Sequence, residues 1–244
     1  MSNPPLPSTT LAFLQGLHCF MIAKAIVNYE VINSADALAL TWLGRLVQCE
    51  ASEAIQLDLI EAGRGRNTTA MRERLERFEA NRDKQDPLAQ YRETLVGGNA
   101  ARGEQIFFGR SDASCRRCHM VRGSGGEVGP DLSAIAVEKK REYLLESLVL
   151  PNAQIAKGFE STMLATVDGK IHVGIVKSED EKSVRLMTAD GSIVAIATDD
   201  VDDRASGKSA MPEDLVKTLS KADIRDLVEY LSTLKTAAST TEHK

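Results

Sequence analysis

The sequence has few of the residues and motifs that mark several large protein classes. Its 244 residues include four cysteines and one tryptophan, and its net charge is -5. Four cysteines are too few for a disulfide framework in a chain of this length. Lysine and arginine are dispersed rather than collected in blocks, which argues against a nucleic acid or an anionic membrane surface as a partner. A nucleophile elbow and a glycine-rich phosphate loop are also missing, so no catalytic constellation of those kinds is predicted.

Residues 1–96 are predicted to form a helical region. Apolar residues recur at helical spacing in several short segments, and residues that can cap a helix precede them. Gly97 and Gly98 are expected to end the region. No clean internal period is present, so a remnant of a HEAT-like repeat stays an open interpretation of these helices.

Residues 97–240 are predicted to form a second domain. Asn99 and Ser220 can cap its first and last helices. Between them, residues 160–198 alternate apolar and polar side chains, which is typical of strands and places a β insertion at about 160–200. Two Asp-Gly pairs mark tight turns in this segment, Asp168-Gly169 and Asp190-Gly191. The pattern predicts a small antiparallel β-meander inserted into the second domain.

The pentapeptide from Cys115 to His119, with the pattern C-x-x-C-H, is the most specific chemical motif in the chain. Two thiols at this spacing can reach the two vinyl groups on one edge of a porphyrin, while the adjacent histidine binds the iron. A redox C-x-x-C pair is the first alternative, but the preceding segment is predicted to be a helix rather than a strand. Half of a zinc site is the second, but no second ligand pair has suitable spacing. The motif therefore predicts one covalently bound haem c.

The residues around this pentapeptide resemble those of a known family. They are Arg102-Gly103, Ile106-Phe107, Gly125-Gly126, Gly129-Pro130-Asp131-Leu132, Pro151-Asn152 and Ser209-Ala210-Met211-Pro212. Together with the pentapeptide they resemble the c-type cytochrome haem-binding domains of Pirellula and Verrucomicrobium (planctomycete) type, over roughly residues 96–235. The resemblance implies a mainly α, class I cytochrome c fold, with the β-meander as an insertion and the helical region in front of it. It also implies a module of a larger dehydrogenase-like protein.

Met211 is the predicted sixth ligand of the iron. It lies in a loop before the last helix, and Pro212 stiffens the chain beside it. The family resemblance assigns the distal ligand to the same position. Met163 and Met187 lie on predicted strands, where ordinary sheet packing explains them. His172 as a second histidine ligand, or an open sixth position, stays as an alternative.

The resemblance also assigns Gly129 and Pro130 to the cofactor site. In cytochromes c, a backbone carbonyl at the position of Pro130 accepts the Nδ1 proton of the proximal histidine, here His119, and fixes its tautomer. The alternative is a Gly-Pro turn that only redirects the chain. Four arginines lie close to the motif, and they can form a docking face, a solvated surface or a propionate-binding set: Arg110, Arg116, Arg117 and Arg122.

The predicted function is one-electron transfer between a dehydrogenase donor and a downstream acceptor, without catalysis by the chain itself. The alternatives are a haem enzyme or a gas or redox sensor with a labile sixth ligand, and a helical scaffold with an accessory cytochrome. The identities of the donor and acceptor, the reduction potential, the role of the β insertion and the oligomeric state do not follow from the sequence.

Haem attachment of this kind predicts a periplasmic or otherwise exported protein, although no signal peptide is evident. Met1 to Ala23 contains no lysine or arginine for a positively charged leader. Leu11 to Val27 is apolar but broken by polar residues, which favours a buried helix over a membrane span. Cys19 and Cys49 are expected to be buried small side chains, with a disulfide between them as the alternative.

Overall fold

The computed structural model describes residues 32–66 and 68–236. The chain divides into two compact units that adjoin in sequence between Gly97 and Gly98. The predictions for Cys19 and for Leu11 to Val27 lie outside the described residues. Within the described ranges, no helix has the length and apolar character needed to cross a membrane.

Helices α1 to α3 form most of the described part of the first unit. Their bounds, with that of a following 3₁₀ turn, are α1 Ile32–Val47, α2 Glu53–Arg66, α3 Thr69–Ala80 and the turn Arg92–Thr94. The apolar faces meet in one core, where Leu43, Ile60 and Met71 are each at most 1% exposed. This unit therefore has its own hydrophobic core, and full burial of each such side chain contributes about 1.5–3 kcal/mol to its stability.

Cys49 differs from its prediction. It lies just after α1 with a φ of 59° and its side chain is exposed, with a free thiol. The expectation of a buried side chain is therefore wrong for Cys49, because the turn that ends α1 lies at the surface.

The second unit combines helices, a β-hairpin and a larger sheet. Its helices are α4 Ala100–Gly109, α5 Cys115–Cys118, α6 Ile135–Glu138, α7 Arg141–Val149, α8 Leu215–Thr218 and α9 Lys221–Ser232. Strands β1 (Met120–Val121) and β2 (Ser124–Gly125) pair as the short antiparallel hairpin. Both predicted caps are confirmed: Asn99 Oδ1 accepts the Arg102 N–H at 3.0 Å, and Ser220 forms a capping box with Asp223.

Helices α4 and α9 cross at very short range. A Cβ atom on Gly103 would lie 2.0 Å from the backbone oxygen of Asp226, so only glycine fits at this point. The Phe107 and Tyr230 rings pack beside the crossing with centroids 5.8 Å apart. The close crossing carries Phe107 of α4 and Leu227 and Leu231 of α9 to the wall of a cavity described below.

A five-stranded antiparallel sheet lies in sequence between α7 and α8. Its strands are β3 Ser161–Thr166, β4 Ile171–Glu179, β5 Ser183–Met187, β6 Ile193–Ala197 and β7 Val201–Ser206. The spatial order is β6-β5-β4-β3-β7, so the last strand pairs with the first. Leu164 and Leu186, both 0% exposed, belong to the core on one face. Gly169 and Gly191 have the positive φ values of 80° and 88° that the two predicted turns require.

The predicted mainly α, class I cytochrome c fold is wrong. Over the described residues the structure is an α/β mix with 45% helix and 17% strand, and it contains the five-stranded sheet as well as the β1–β2 hairpin. The sheet also runs past the predicted end near residue 200, because β7 returns to pair with β3 rather than continuing a meander. Strand β7 carries mainly exposed residues and is an edge strand, so its pairing depends on the backbone ladder and left no apolar alternation in the sequence.

Candidate functional site

One cavity of about 450 Å³ in the second unit collects every predicted site residue on its wall. This volume lies within the usual range for small-molecule and cofactor sites. The six residues are Cys115, Cys118, His119, Gly129, Pro130 and Met211. Five of them come from a short stretch around α5, and the sixth comes from the loop before α8.

Helix α5 is a single turn that positions both thiols and the histidine. The chain enters it through Ser114 with a φ of 50°, and the His119 N–H donates to the Cys115 carbonyl at 3.0 Å. Residues three apart share one side of a helix, so the two sulfurs lie on the same side. Both thiols are free and half-buried.

The electrostatics of the two thiols differ from those of a redox pair. Burial raises the pKa of the Cys115 thiol to about 11, and burial also raises the pKa of the Cys118 thiol. Redox C-x-x-C motifs instead lower the pKa of one cysteine to generate a thiolate near neutral pH. The two cysteines are therefore neutral thiols at pH 7, which does not fit the thiol-exchange alternative.

His119 is held in one tautomer. Its Nδ1 lies 3.0 Å from the Pro130 carbonyl oxygen, which can only accept a hydrogen bond, so Nδ1 carries the proton. The Nε2 lone pair is left available as a ligand. Burial lowers the pKa of His119 and outweighs the opposing effect of the bond to Pro130, so the imidazole is neutral at pH 7. This bond is the one that the family resemblance implies for the proximal histidine.

Gly129 packs directly against the His119 ring. Its N–H donates to the Cys118 carbonyl at 2.7 Å. A Cβ atom here would lie 2.5 Å from Cε1 and 2.7 Å from Nδ1 of His119, far inside van der Waals contact. A glycine at this position lets the loop pass over the ring and bring the Pro130 carbonyl to Nδ1.

Gly129→Ala is expected to lower the free energy of unfolding by about 1–3 kcal/mol, because the new methyl group displaces the ring or the loop. Chemical denaturation measures the change. Gly109→Ala is the matched control, since a Cβ on Gly109 at the end of α4 meets nothing within 4 Å. Equal destabilisation by both substitutions would contradict the assigned contact between Gly129 and His119.

Met211 is the second candidate iron ligand, beside His119, on the wall of this cavity. Among the described histidines and methionines, the two that line it are His119 and Met211. Met163 is exposed on β3 and Met187 is half-buried on β5, so both lie on the sheet away from the cavity lining. His172 lies on β4 and does not line the cavity either. The structure therefore brings Met211, and not the rival ligands, to the wall that carries His119.

The rest of the cavity wall is mainly apolar, with two lysines as its charged side chains. The apolar part comes from α4, α6, α7, α8, α9 and the loops between them, and includes Phe107, Val128, Leu132, Ile135, Leu144, Leu148, Leu215, Leu227 and Leu231. Lys139 and Lys157 are on the wall, whereas none of its described residues is Asp or Glu. The Lys139 Nζ lies 4.5 Å above the centroid of the Tyr143 ring. Nothing in the local sequence distinguishes these two lysines from surface lysines, so their place on the cavity wall could not be predicted from the sequence.

The four arginines near the motif do not line this cavity. Arg110 instead joins the end of α4 to the start of α9, with Nη1 2.7 Å from Asp223 and Nη2 2.9 Å from the Thr218 carbonyl. Arg116, Arg117 and Arg122 are exposed. Of the interpretations left open by the sequence, the propionate-binding set is not supported for these arginines, and Arg110 has a structural role.

The donor set at the cavity fits a c-type haem better than a bare metal ion. Two thiols and an imidazole with a free Nε2 are the groups that attach and ligate such a haem, and a methionine shares the wall. The two lysines among apolar side chains complement an apolar macrocycle that carries two carboxylates. Among the described residues, no group of three or more His, Cys, Asp or Glu side chains is placed to hold a metal ion.

No known family model and no curated protein matches the chain. The resemblance to the planctomycete haem-binding domains accordingly stays a prediction that rests on the motifs quoted above.

Proposed function

We propose that the protein carries one haem c and serves as a one-electron carrier. Cys115 and Cys118 would hold the haem through thioethers, and His119 and Met211 would bind the iron. The convergence of these four side chains on one cavity carries the proposal. When bound, the haem iron supplies a couple that exchanges one electron without bond rearrangement in a substrate.

The residues of the chain would bind, orient and desolvate the group. Pro130 fixes the tautomer of His119 through the 3.0 Å contact with Nδ1. Nε2 therefore carries no proton, and its lone pair is available to bind the iron. The apolar wall excludes water, and Lys139 and Lys157 supply positive charge for the two propionates. Methionine sulfur is a neutral, soft ligand that favours reduced iron, so the ligand pair would raise the reduction potential.

The partner proteins in this proposal are a dehydrogenase that donates electrons and an acceptor that removes them. Thioether attachment belongs to exported cytochromes, so the proposed location is the periplasm or another compartment outside the cytoplasm. A carrier needs no open coordination position, and the presence of Met211 as a second candidate ligand at the cavity wall supports the carrier over a sensor or haem enzyme with an open position. The first unit contributes no residue to the described lining of the cavity.

The test is an optical redox titration of protein matured with a cytochrome c assembly system. The expected result is one reversible transition with a slope of about 59 mV per tenfold change in the ratio of oxidised to reduced protein, as for a single electron. The reduced protein should bind carbon monoxide poorly, because a bound methionine must leave first. Rapid, tight binding of carbon monoxide would instead support the sensor or enzyme alternative.

A further inference from the structure

The segment that carries Met211 has little regular structure of its own. Residues 207–214 form neither helix nor strand, although they lie between β7 and α8. Pro212 limits the backbone at one position only. The position of Met211 on the cavity wall therefore depends on contacts from outside the segment.

Asn152 makes two such contacts. Its Oδ1 accepts the Ser209 N–H at 2.8 Å, and its Nδ2 donates to Oε1 of Glu213. These partners fix the orientation of the amide, because Ser209 N–H can only donate and the carboxylate can only accept. The Asn152 side chain therefore bonds to the segment on both sides of Met211.

Ser209 connects these hydrogen bonds to Met211 itself. The Met211 N–H donates to Ser209 Oγ at 3.1 Å, while the Ser209 N–H is held by Asn152. Two hydrogen bonds therefore connect the amide of Asn152 to the backbone of Met211. Ser209 and Met211 both line the cavity.

The five-stranded sheet holds the beginning of the same segment. Ser161 at the start of β3 accepts the Gly207 N–H on its carbonyl at 2.8 Å and donates its hydroxyl to the Lys208 carbonyl. Lys208 Nζ then lies 2.9 Å from Oε1 of Glu213. These contacts hold the N-terminal end of the segment on the sheet, and Asn152 connects the segment to the chain after α7.

We propose that Asn152 is a positioning residue for the sixth ligand, and that it sets how firmly Met211 stays on the iron. This inference rests on the proposed function, since it requires Met211 to be a ligand. Asn152 and Glu213 are both exposed, so replacing Asn152 leaves no buried side chain without its polar partner and costs little global stability. The main effect of the replacement falls on the exchange of Met211 for another ligand.

The experiment measures binding of imidazole to the oxidised, haem-loaded full chain. Added imidazole competes with Met211 for the sixth position, so its apparent affinity reports how tightly the segment is held. Asn152→Ala should raise the affinity roughly tenfold, which corresponds to about 1.4 kcal/mol, a value in the range of one or two net hydrogen bonds. The near-infrared sulfur-to-iron band should weaken and the reduction potential should fall in the same variant.

Asn99→Ala is the matched control. Asn99 Oδ1 also accepts one backbone N–H, at 3.0 Å from Arg102, but it does so at the start of α4 and away from the Met211 segment. This variant should lower the melting temperature yet leave the imidazole affinity within about twofold of the wild type, which is about 0.4 kcal/mol when tenfold is 1.4 kcal/mol. Asn152→Asp is the second variant, because it keeps the acceptor for Ser209 and places a like charge against Glu213. It should give an intermediate affinity that returns toward the wild-type value as salt is added.

The outcomes separate the inference from the function on which it rests. Loss of haem from the wild type on a denaturing gel would reject the proposed function. A wild type with covalent haem but without the sulfur-to-iron band would reject Met211 as a ligand. If the wild type has both and the two Asn152 variants bind imidazole as it does, or if Asn99→Ala changes affinity as much as they do, the positioning role is wrong.

Discussion

Replacing Cys115 and Cys118 together by alanine is expected to abolish covalent retention of haem, and this is the largest effect that we predict. In the proposed attachment, each thiol would add its sulfur and its hydrogen across one vinyl double bond, so no atom would be lost and the link would survive denaturation. Without both sulfurs, only the histidine and methionine contacts would hold the cofactor, and these would break when the protein unfolds. Acid-acetone extraction and haem staining after denaturing electrophoresis measure retention.

The controls use the other cysteine in the described part of the chain and the single substitutions. Cys49 is free and exposed in the first unit, so Cys49→Ala should retain all of its haem. Cys115→Ala and Cys118→Ala alone should keep one link and a lower yield. Haem that stays with the double variant on a denaturing gel, or that is extracted from the wild type, would refute thioether attachment.

The second large effect is expected from Met211→Ala. Removal of the sulfur should erase the near-infrared sulfur-to-iron band of the oxidised protein. The reduction potential should fall by on the order of 0.1 V, a fraction of the ~0.8 V range that axial ligation spans. The sign follows from the preference of thioether sulfur for reduced iron, which is lost with the side chain. Spectroscopy and redox titration measure both changes.

Met163→Ala and Met187→Ala are the matched controls, because each removes the same side chain from the sheet. Met163 lies on β3 and Met187 on β5, and neither lines the cavity. Both variants should keep the band and the wild-type potential. Should one of them lose the band while Met211→Ala keeps it, the sixth ligand has been assigned to the wrong methionine.

The prediction of fold class failed for an identifiable reason. Alternation revealed the strands up to about residue 197, but the mainly α architecture came from the resemblance to a family. Four of the six residues of strand β7 are exposed, and three of those four are charged: Asp202, Asp203 and Arg204. Its partner β3 lies far back in the chain, and pairing of the two is visible only in the folded ladder. A local pattern cannot report such a pairing.

The sequence by itself determined the features that depend on neighbours along the chain. The C-x-x-C-H spacing, the caps at Asn99 and Ser220, and the turns at Gly169 and Gly191 all follow from geometry within a few residues.

The tertiary structure decided what segments distant in sequence bring together. It placed Met211 rather than His172 on the wall with His119, supplied Lys139 and Lys157 as the charges there, and joined Asn152 to the Met211 segment. Side-chain positions in a cavity are set by packing between elements, and a single chain read in order carries no direct record of that packing.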